Sequence, residues 1–254
     1  SFNEGEEYSE KYQLDNEIFR LSLSMKYKYS KRFFIEAGME YEFPEIIVPN
    51  LNLLNAFPNG NYGTGRFRNI SLNLSTQYDN RDHIFLPTEG VVIKGEINFF
   101  PKILDNLNNF SKVSTNFQFN YTEHSYTNST ISLQGGFGKT YGIYPFFKAQ
   151  FLGGENDLSG YTQNRFSADA ILFGNIEYRN SFGTFEFIIP LEFGPILKYD
   201  LGYLSETEFN FGKPLNSYSI GLWGNYMNGL AAFKFLVSHS TEGNYYYFLT
   251  YTNF

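Results

Sequence analysis

A period of two in hydrophobicity, held for ten to twelve residues at a time and repeated down the chain, is the strongest constraint on what this sequence can fold into. Residues 18–29 put Phe19, Leu21, Leu23, Met25, Tyr27 and Tyr29 on one face and Arg20, Ser22, Ser24, Lys26 and Lys28 on the other. Successive side chains of a strand point to opposite sides, so this is a strand with one apolar and one polar surface. Only Ser30 and Lys31 separate it from a second run, in which Phe33, Ile35, Ala37, Met39, Tyr41 and Phe43 oppose Glu36, Gly38, Glu40 and Glu42, and a tight hairpin is predicted. Ile70, Leu72, Leu74 and Tyr78 then oppose Asn69, Ser71, Asn73 and Gln77, and Val91, Ile93, Ile97 and Phe99 oppose Lys94, Glu96 and Asn98. Val113, Phe117, Phe119 and Tyr121 likewise oppose Lys112, Ser114, Asn116, Gln118 and Asn120. Further strands are predicted near 129–140, 168–179, 184–204, 217–227, 230–239 and 244–254.

Alternation alone does not say which face is wet, since a soluble sandwich or lipocalin-like barrel also alternates, with its apolar face inward. The charges decide. The polar face carries Arg20, Lys26, Glu36, Glu40, Lys94, Glu96, Lys112, Glu177, Arg179, Lys198 and Asp200, which suits an aqueous lumen. The apolar face carries few, and a Lys or Arg there at mid-bilayer would cost about 2–4 kcal/mol. Strands of this length match a tilted membrane crossing, whereas soluble strands commonly run about five or six residues. The 29 Phe and 21 Tyr supply the rings that interfacial girdles require. The expected fold is therefore all-β, a closed antiparallel transmembrane β-barrel forming a single domain over residues 1–254, with an N-terminal segment 1–17 and strands from about 18 onward. No stretch approaches the ~20 apolar residues of a helical span.

Connections alternate in length: Ser30-Lys31 and Asn228-Gly229 are short, while 44–65, 142–167 and 205–216 are long. Short turns facing the periplasm and long loops facing outside give this pattern. Eleven strands are counted, bacterial single-chain barrels have even numbers, and the expectation is twelve, the last drawn from residues 1–12 or Phe146–Leu152. Twelve tilted strands give a backbone diameter of roughly 24 Å, enough for a polar interior that a loop can fill. A net charge of -7 without clustered Lys and Arg excludes nucleic acid as a partner. With no cysteine there is no disulfide framework or thiolate metal site.

Two motifs stand on this frame. Tyr78-Asp79-Asn80-Arg81-Asp82 followed by Pro87-Thr88-Glu89-Gly90 is physically a Pro/Gly turn. Tyr144-Pro145-Phe146-Phe147, then Phe151-Leu152-Gly153-Gly154, then Leu158-Ser159-Gly160-Tyr161 mark a long loop. In this order and spacing they resemble, over about residue 66 to the C-terminus, the outer-membrane barrel-assembly, two-partner-secretion and surface-antigen superfamily, which also includes barrels attached to patatin-like phospholipases. The resemblance implies that the turn (Asp79, Arg81, Asp82, Pro87, Gly90) joins two mid-barrel strands and that the long loop folds back into the lumen. It also implies a hydrophobic-Arg-Gly-aromatic tetrapeptide whose arginine pairs with acids on the inner wall. This chain has Ser159 in the arginine's place, so Glu177 and Asp200 need other cations; Arg165, Arg179 and Lys198 are nearest in sequence. Alternation sets Asp169, Glu177 and Arg179 on one face of their strand and Lys198 and Asp200 on one face of theirs. The loop is then expected to be anchored more by Leu158 and Tyr161 than by charge. Phe254 at the end of an aromatic strand resembles the terminal signal by which such barrels are recognised for assembly.

Catalysis finds little support. Of His83, His124 and His239, only His239 lies on a strand beside serines, and Ser238 and Ser240 must point to the opposite face. No His or carboxylate spacing suggests a metal, Glu155-Asn156-Asp157 reads as loop polarity, and Gly135, Gly136 and Gly138 read as close packing. No enzyme, cofactor or metal is expected. The resembled superfamily works through periplasmic modules, and the 12–17 residues before the first strand are too few for one. The expectation is a barrel in a Gram-negative outer membrane that assists insertion or translocation of polypeptides or lipids, with membrane lipid, the assembly machinery during biogenesis, and a periplasmic partner or client as its contacts. The alternatives are a structural or pore-forming barrel with a plug loop, and the membrane domain of a larger patatin-like protein.

Overall fold

A computed structural model describes residues 15–47, 62–186, 190–205, 210–226 and 230–252. The strands are β1 (Asp15–Lys28), β2 (Phe33–Ile47), β3 (Gly65–Arg66), β4 (Asn69–Asp79), β5 (Gly90–Phe100), β6 (Phe110–His124), β7 (Asn128–Tyr141), β8 (Gln150–Leu152), β9 (Phe166–Ala168), β10 (Ala170–Asn180), β11 (Thr184–Glu186), β12 (Pro190–Ser205), β13 (Leu215–Tyr226), β14 (Ala231–Ser240) and β15 (Gly243–Thr252). Eleven long strands form one antiparallel sheet in the order β1-β2-β4-β5-β6-β7-β10-β12-β13-β14-β15, with β3 added to β2 and β11 to β12. Each long strand neighbours the next long strand in sequence, because loop-closure entropy grows slowly with length and antiparallel pairing with the sequence neighbour is the cheapest closure across short and long connections alike. At the first connection, the Ser30 hydroxyl accepts the amides of Arg32 and Phe33 at 3.2 and 3.1 Å and fixes the turn.

The apolar face is the bare one. Leu72, Ile93, Ile97, Phe117, Ile220 and Phe248 are each about half exposed or more, and their neighbours on the same face repeat the pattern across every long strand. So broad an apolar surface is untenable in water and suits hydrocarbon. The buried side chains lie on the other side, where two connections fold back onto the polar face. One cluster joins Leu86 to Ile196, Trp223, Ala232 and Leu236; another joins Leu152, Leu158, Tyr161, Ala168 and Ile171; a third joins Phe100, Phe110, Tyr144 and Ala149.

Three expectations need correction or fall outside view. Phe146–Leu152 is not a wall strand: Phe146–Lys148 is a 3-10 turn, and Gln150–Leu152 pairs only with Phe166–Ala168 in a two-stranded ribbon within the loop. The run 184–204 is not one strand. Arg179 pairs with Ile196 while Thr184 pairs with Glu192, a one-residue slip that makes β11 the continuation of β10 beyond a bulge at 181–183. Gly194 lies so near the Asn180 carbonyl that a Cβ would have no room there. Residues 1–12, Asn228-Gly229, most of 44–65 and Phe254 lie outside the described residues.

Among the described residues β1 and β15 do not pair. Both run from the long-loop end toward the short-turn end, as an eleven-strand antiparallel meander requires.

Candidate functional site on the polar face

The register of β10, β12, β13 and β14 lays two polar rows across the wall. Asn175 faces Asp200, which faces Ser217; Glu177 faces Lys198, which faces Ser219, which faces Ser238. Asp200 is fully buried and is nevertheless well supplied with donors. One of its oxygens accepts the Ser159 amide at 2.9 Å, the Ser159 hydroxyl and the Ser217 hydroxyl at 2.8 Å. The other accepts Asn175 Nδ2 and pairs with Lys198 Nζ at 3.1 Å. Four donors and a counter-ion offset the desolvation that a buried carboxylate suffers.

The loop of residues 142–167 delivers Ser159 to this row. Leu158 is fully buried and fits over Gly202, where a Cβ would come within 2.9 Å of its methyl. Gly160 passes where a Cβ would lie 2.5 Å from Ser217 Cβ and 2.7 Å from Ser240 Cβ, so only glycine lets the chain approach the wall. Its carbonyl accepts the Ser240 hydroxyl, and the Ser159 carbonyl accepts Tyr247 Oη at 2.9 Å. Tyr161 Oη donates to the Asn216 carbonyl at 3.3 Å while its ring meets Phe166 edge-on. Gly153 and Gly154 take φ of 123° and 111°, turning the chain at the mouth of the tip. At its base the loop reaches the other flank of the sheet, where Lys148 pairs with buried Glu42 of β2 and Lys112 of β6 donates to the Ala149 carbonyl at 3.1 Å. One loop therefore ties β2 to β15.

The structure brings the wall charges together as follows. Lys198 pairs with Asp200, and Arg179 Nε lies 3.3 Å from Glu177. Glu177 also takes a cation that sequence reasoning missed, Lys234 of β14, at 3.0 and 3.2 Å. The signal was present: Lys234 is a lone charge within the apolar run 231–237, sharing a face with Ala232 and Ser238. Arg165 does not serve these acids; it pairs with Glu242 in the β14–β15 turn at 2.9 Å. Asp169 does not join Glu177 and Arg179, because it precedes β10 and accepts Tyr144 Oη. Ser159 is also more than a source of one neutral bond, since it sits on a buried carboxylate and accepts Lys198 Nζ at 3.1 Å. The loop is thus held by Leu158 and Tyr161 and by this charged row together.

The turn motif is drawn into the same network. Asp79 holds Arg81 through Nε at 3.0 Å and NH2 at 2.8 Å, and Arg81 reaches Gln118 at 2.9 Å. Asp82 accepts the amides of His83, Thr88 and Glu89 at 2.9 to 3.1 Å, with the Thr88 hydroxyl beside them. Burial would raise its carboxyl, but these hydrogen bonds, the Thr88 hydroxyl first, hold it below the ordinary carboxylate range. Gly90 has φ of 103° and sits against the Asn80 carbonyl. Pro87 offers its carbonyl to Arg179, so one arginine joins turn and wall. Ahead of Pro87 the chain crosses the sheet: Phe85 stacks on Tyr251 of β15 at 5.6 Å, and Leu86 enters the cluster around Trp223. That reach was not legible in the motif.

His239 hydrogen-bonds Asn244 at 2.7 Å and lies against Tyr218 on the exposed face, away from the buried hydroxyls of Ser238 and Ser240.

An apolar outer face, a charged inner row and a long loop seated on it define a sheet of the outer-membrane β-barrel type. The match to the Omp85 superfamily domain covers residues 1–223, and the chain belongs to that superfamily. Among solved structures, it is similar to a crystal structure of BamA from Haemophilus ducreyi lacking POTRA domains 1–3, with a TM-score of 0.68 and 14% identity. That match covers 94% of this chain and 55% of the other, so the chain spans about half the length of the BamA structure it matches. No curated protein matches the sequence.

Proposed function

We propose that the sheet is the greater part of a closed outer-membrane barrel, that the 142–167 loop occupies its lumen, and that the barrel assists insertion or translocation of polypeptides without covalent chemistry. Since β1 and β15 run in the same direction, antiparallel closure takes an odd number of further strands; one would give the twelve expected from the sequence. The observation that carries the reading is the seat of Leu158-Ser159-Gly160-Tyr161 on Asp200 in a chain of the Omp85 superfamily. The site where the resemblance implies an arginine is occupied by a serine, and the wall supplies Lys198 to the same carboxylate. The anchoring charge has moved from the loop to the wall, and the loop is still fixed.

The test is insertion of an unfolded outer-membrane barrel client into liposomes with and without the reconstituted chain. The reading expects faster insertion with the chain, and slower again when Asp200→Ala frees the tip. Equal rates with and without the chain would leave a structural barrel as the function.

A further inference from the structure

The connection at residues 80–89 is built in two halves. Its base is tied down by the Asp82 carboxylate, by Asn80 Oδ1, which accepts the Val91 amide at 2.7 Å, and by Thr122, whose hydroxyl donates to the Thr88 carbonyl at 2.8 Å. Its tip is different. Among the described residues the amides of Ile84, Phe85 and Leu86 have no hydrogen-bond partner, and the tip rests on the Phe85–Tyr251 stack, Lys234 Nζ 5.7 Å over the Phe85 ring, the Leu86 contacts, a 3.4 Å bond from Arg81 to the Ile84 carbonyl and the bond from Arg179 to the Pro87 carbonyl.

This tip separates two cavities. One, of about 230 Å³, lies between turn, loop and wall and is lined by Glu155, Asn175, Glu177, Lys198 and Lys234, among others; the second, of about 180 Å³, is lined by Asp82, His83, Asn225, Ala232 and Tyr251. Ile84 and Phe85 line both, so the chain there is a single layer between them. Each cavity also has a buried amide oxygen without a partner among the described residues, Asn175 Oδ1 in the first and Asn225 Oδ1 in the second. Such oxygens call for water, and both volumes hold several molecules at about 30 Å³ each.

We propose that Ile84–Pro87 is a movable partition between two hydrated chambers, admitting small hydrophilic solutes from the short-turn end to the chamber beneath the loop. The inference rests on the closed-barrel reading. Its parts fit the role: a base tied down by hydrogen bonds, a tip held by side-chain contacts and two arginine bonds to its carbonyls, and polar-lined space on either side into which the tip can swing. The opening step costs one aromatic stack, one leucine contact and the arginine bonds to the Ile84 and Pro87 carbonyls, and breaks no backbone ladder.

The chain has no cysteine, so Gln134→Cys, in the first chamber, gives a single reporter in proteoliposomes. A small anionic thiosulfonate should modify it slowly in the parent. Phe85→Ala and Tyr251→Ala, which remove the stack from either side, should each raise the rate about tenfold, and Phe85→Trp, which enlarges it, should lower the rate. Heat-modifiable mobility on gels reports whether each variant is folded, and the Trp variant keeps the test decisive if the alanine variants are not. Unchanged rates in the folded variants would overturn the partition. Ile97→Cys serves as control, because its modification by the same reagent would instead remove the membrane-barrel reading.

Discussion

The 142–167 loop meets the wall through a buried carboxylate and a row of hydroxyls, whereas the tip of the 80–89 connection meets it through rings, a leucine and two cations, Arg179 and Lys234. Both fold onto the polar face, from opposite ends of the sheet, and the difference lies in where their desolvated charge sits. At the loop tip, Asp200 is fully buried and its partners come from loop and wall alike, so removing any one exposes the others to an unmet need. At the turn, Asp82 is exposed and satisfies only its own connection. The tip beyond it is held by contacts that can part and re-form. A fixed plug and a yielding one follow from that contrast.

Asp200→Ala should break the comparison most severely. It strips the buried Ser159 amide, the Ser217 hydroxyl and Asn175 of their acceptor and Lys198 of its counter-ion, and a cost of about 3–5 kcal/mol is expected, read as a lower urea midpoint for the reconstituted protein. Arg179→Ala should follow at about 3 kcal/mol, the lower end of that range, because Glu177 keeps Lys234 while Pro87 loses its donor. Ser159→Ala should cost less, about 1–3 kcal/mol, since Asp200 retains Ser217, Asn175 and Lys198. If heat-modifiability ranked Ser159→Ala above Arg179→Ala, the loop tip rather than the wall would be the seat of stability.

The smallest effect belongs to pH at the turn. The Asp82 carboxyl is held below its usual value, so its contribution is present above the unfolded-state pKa and is lost as pH falls through the lower folded-state value. Protection of the Thr88 and Glu89 amides from hydrogen exchange should therefore persist through the ordinary carboxylate range on acidification and fade only below it. Loss at a higher pH would show that the carboxylate does not order the connection.

Period-two patterning made the wall legible because each strand has one face in hydrocarbon and one on the polar side, and such a strand cannot hide its period. Where that two-sidedness lapses, so does the reading. Phe146–Leu152 does not alternate, since it packs on one side against the wall residues Phe100 and Phe110 and on the other against the loop strand β9, and no lipid face marks its period. The 184–204 run alternates across two strands that pair with each other, and the bulge at 181–183 shifts register without leaving a sign in composition. At the site, Lys198–Asp200 and Glu177–Arg179 could be read because i and i+2 share a face. Lys234, Lys148 and Glu42 could not be paired from sequence, because their contacts cross the sheet or join the loop to a distant strand. The departure at Ser159 was plain in the sequence, but the buried row that receives the serine is set by the register of three strands.

The whole account depends on which face is wet, and neighbouring positions on β5 test it with little disturbance, because Ile93 and Lys94 are both exposed and point to opposite faces. Spin labels at Ile93→Cys and Lys94→Cys in proteoliposomes should differ sharply. The first should collide with dissolved oxygen and be shielded from a water-soluble nickel chelate, and the second should show the reverse. A label at 93 relaxed by nickel, with one at 94 relaxed by oxygen, would place the polar face in lipid and contradict the account.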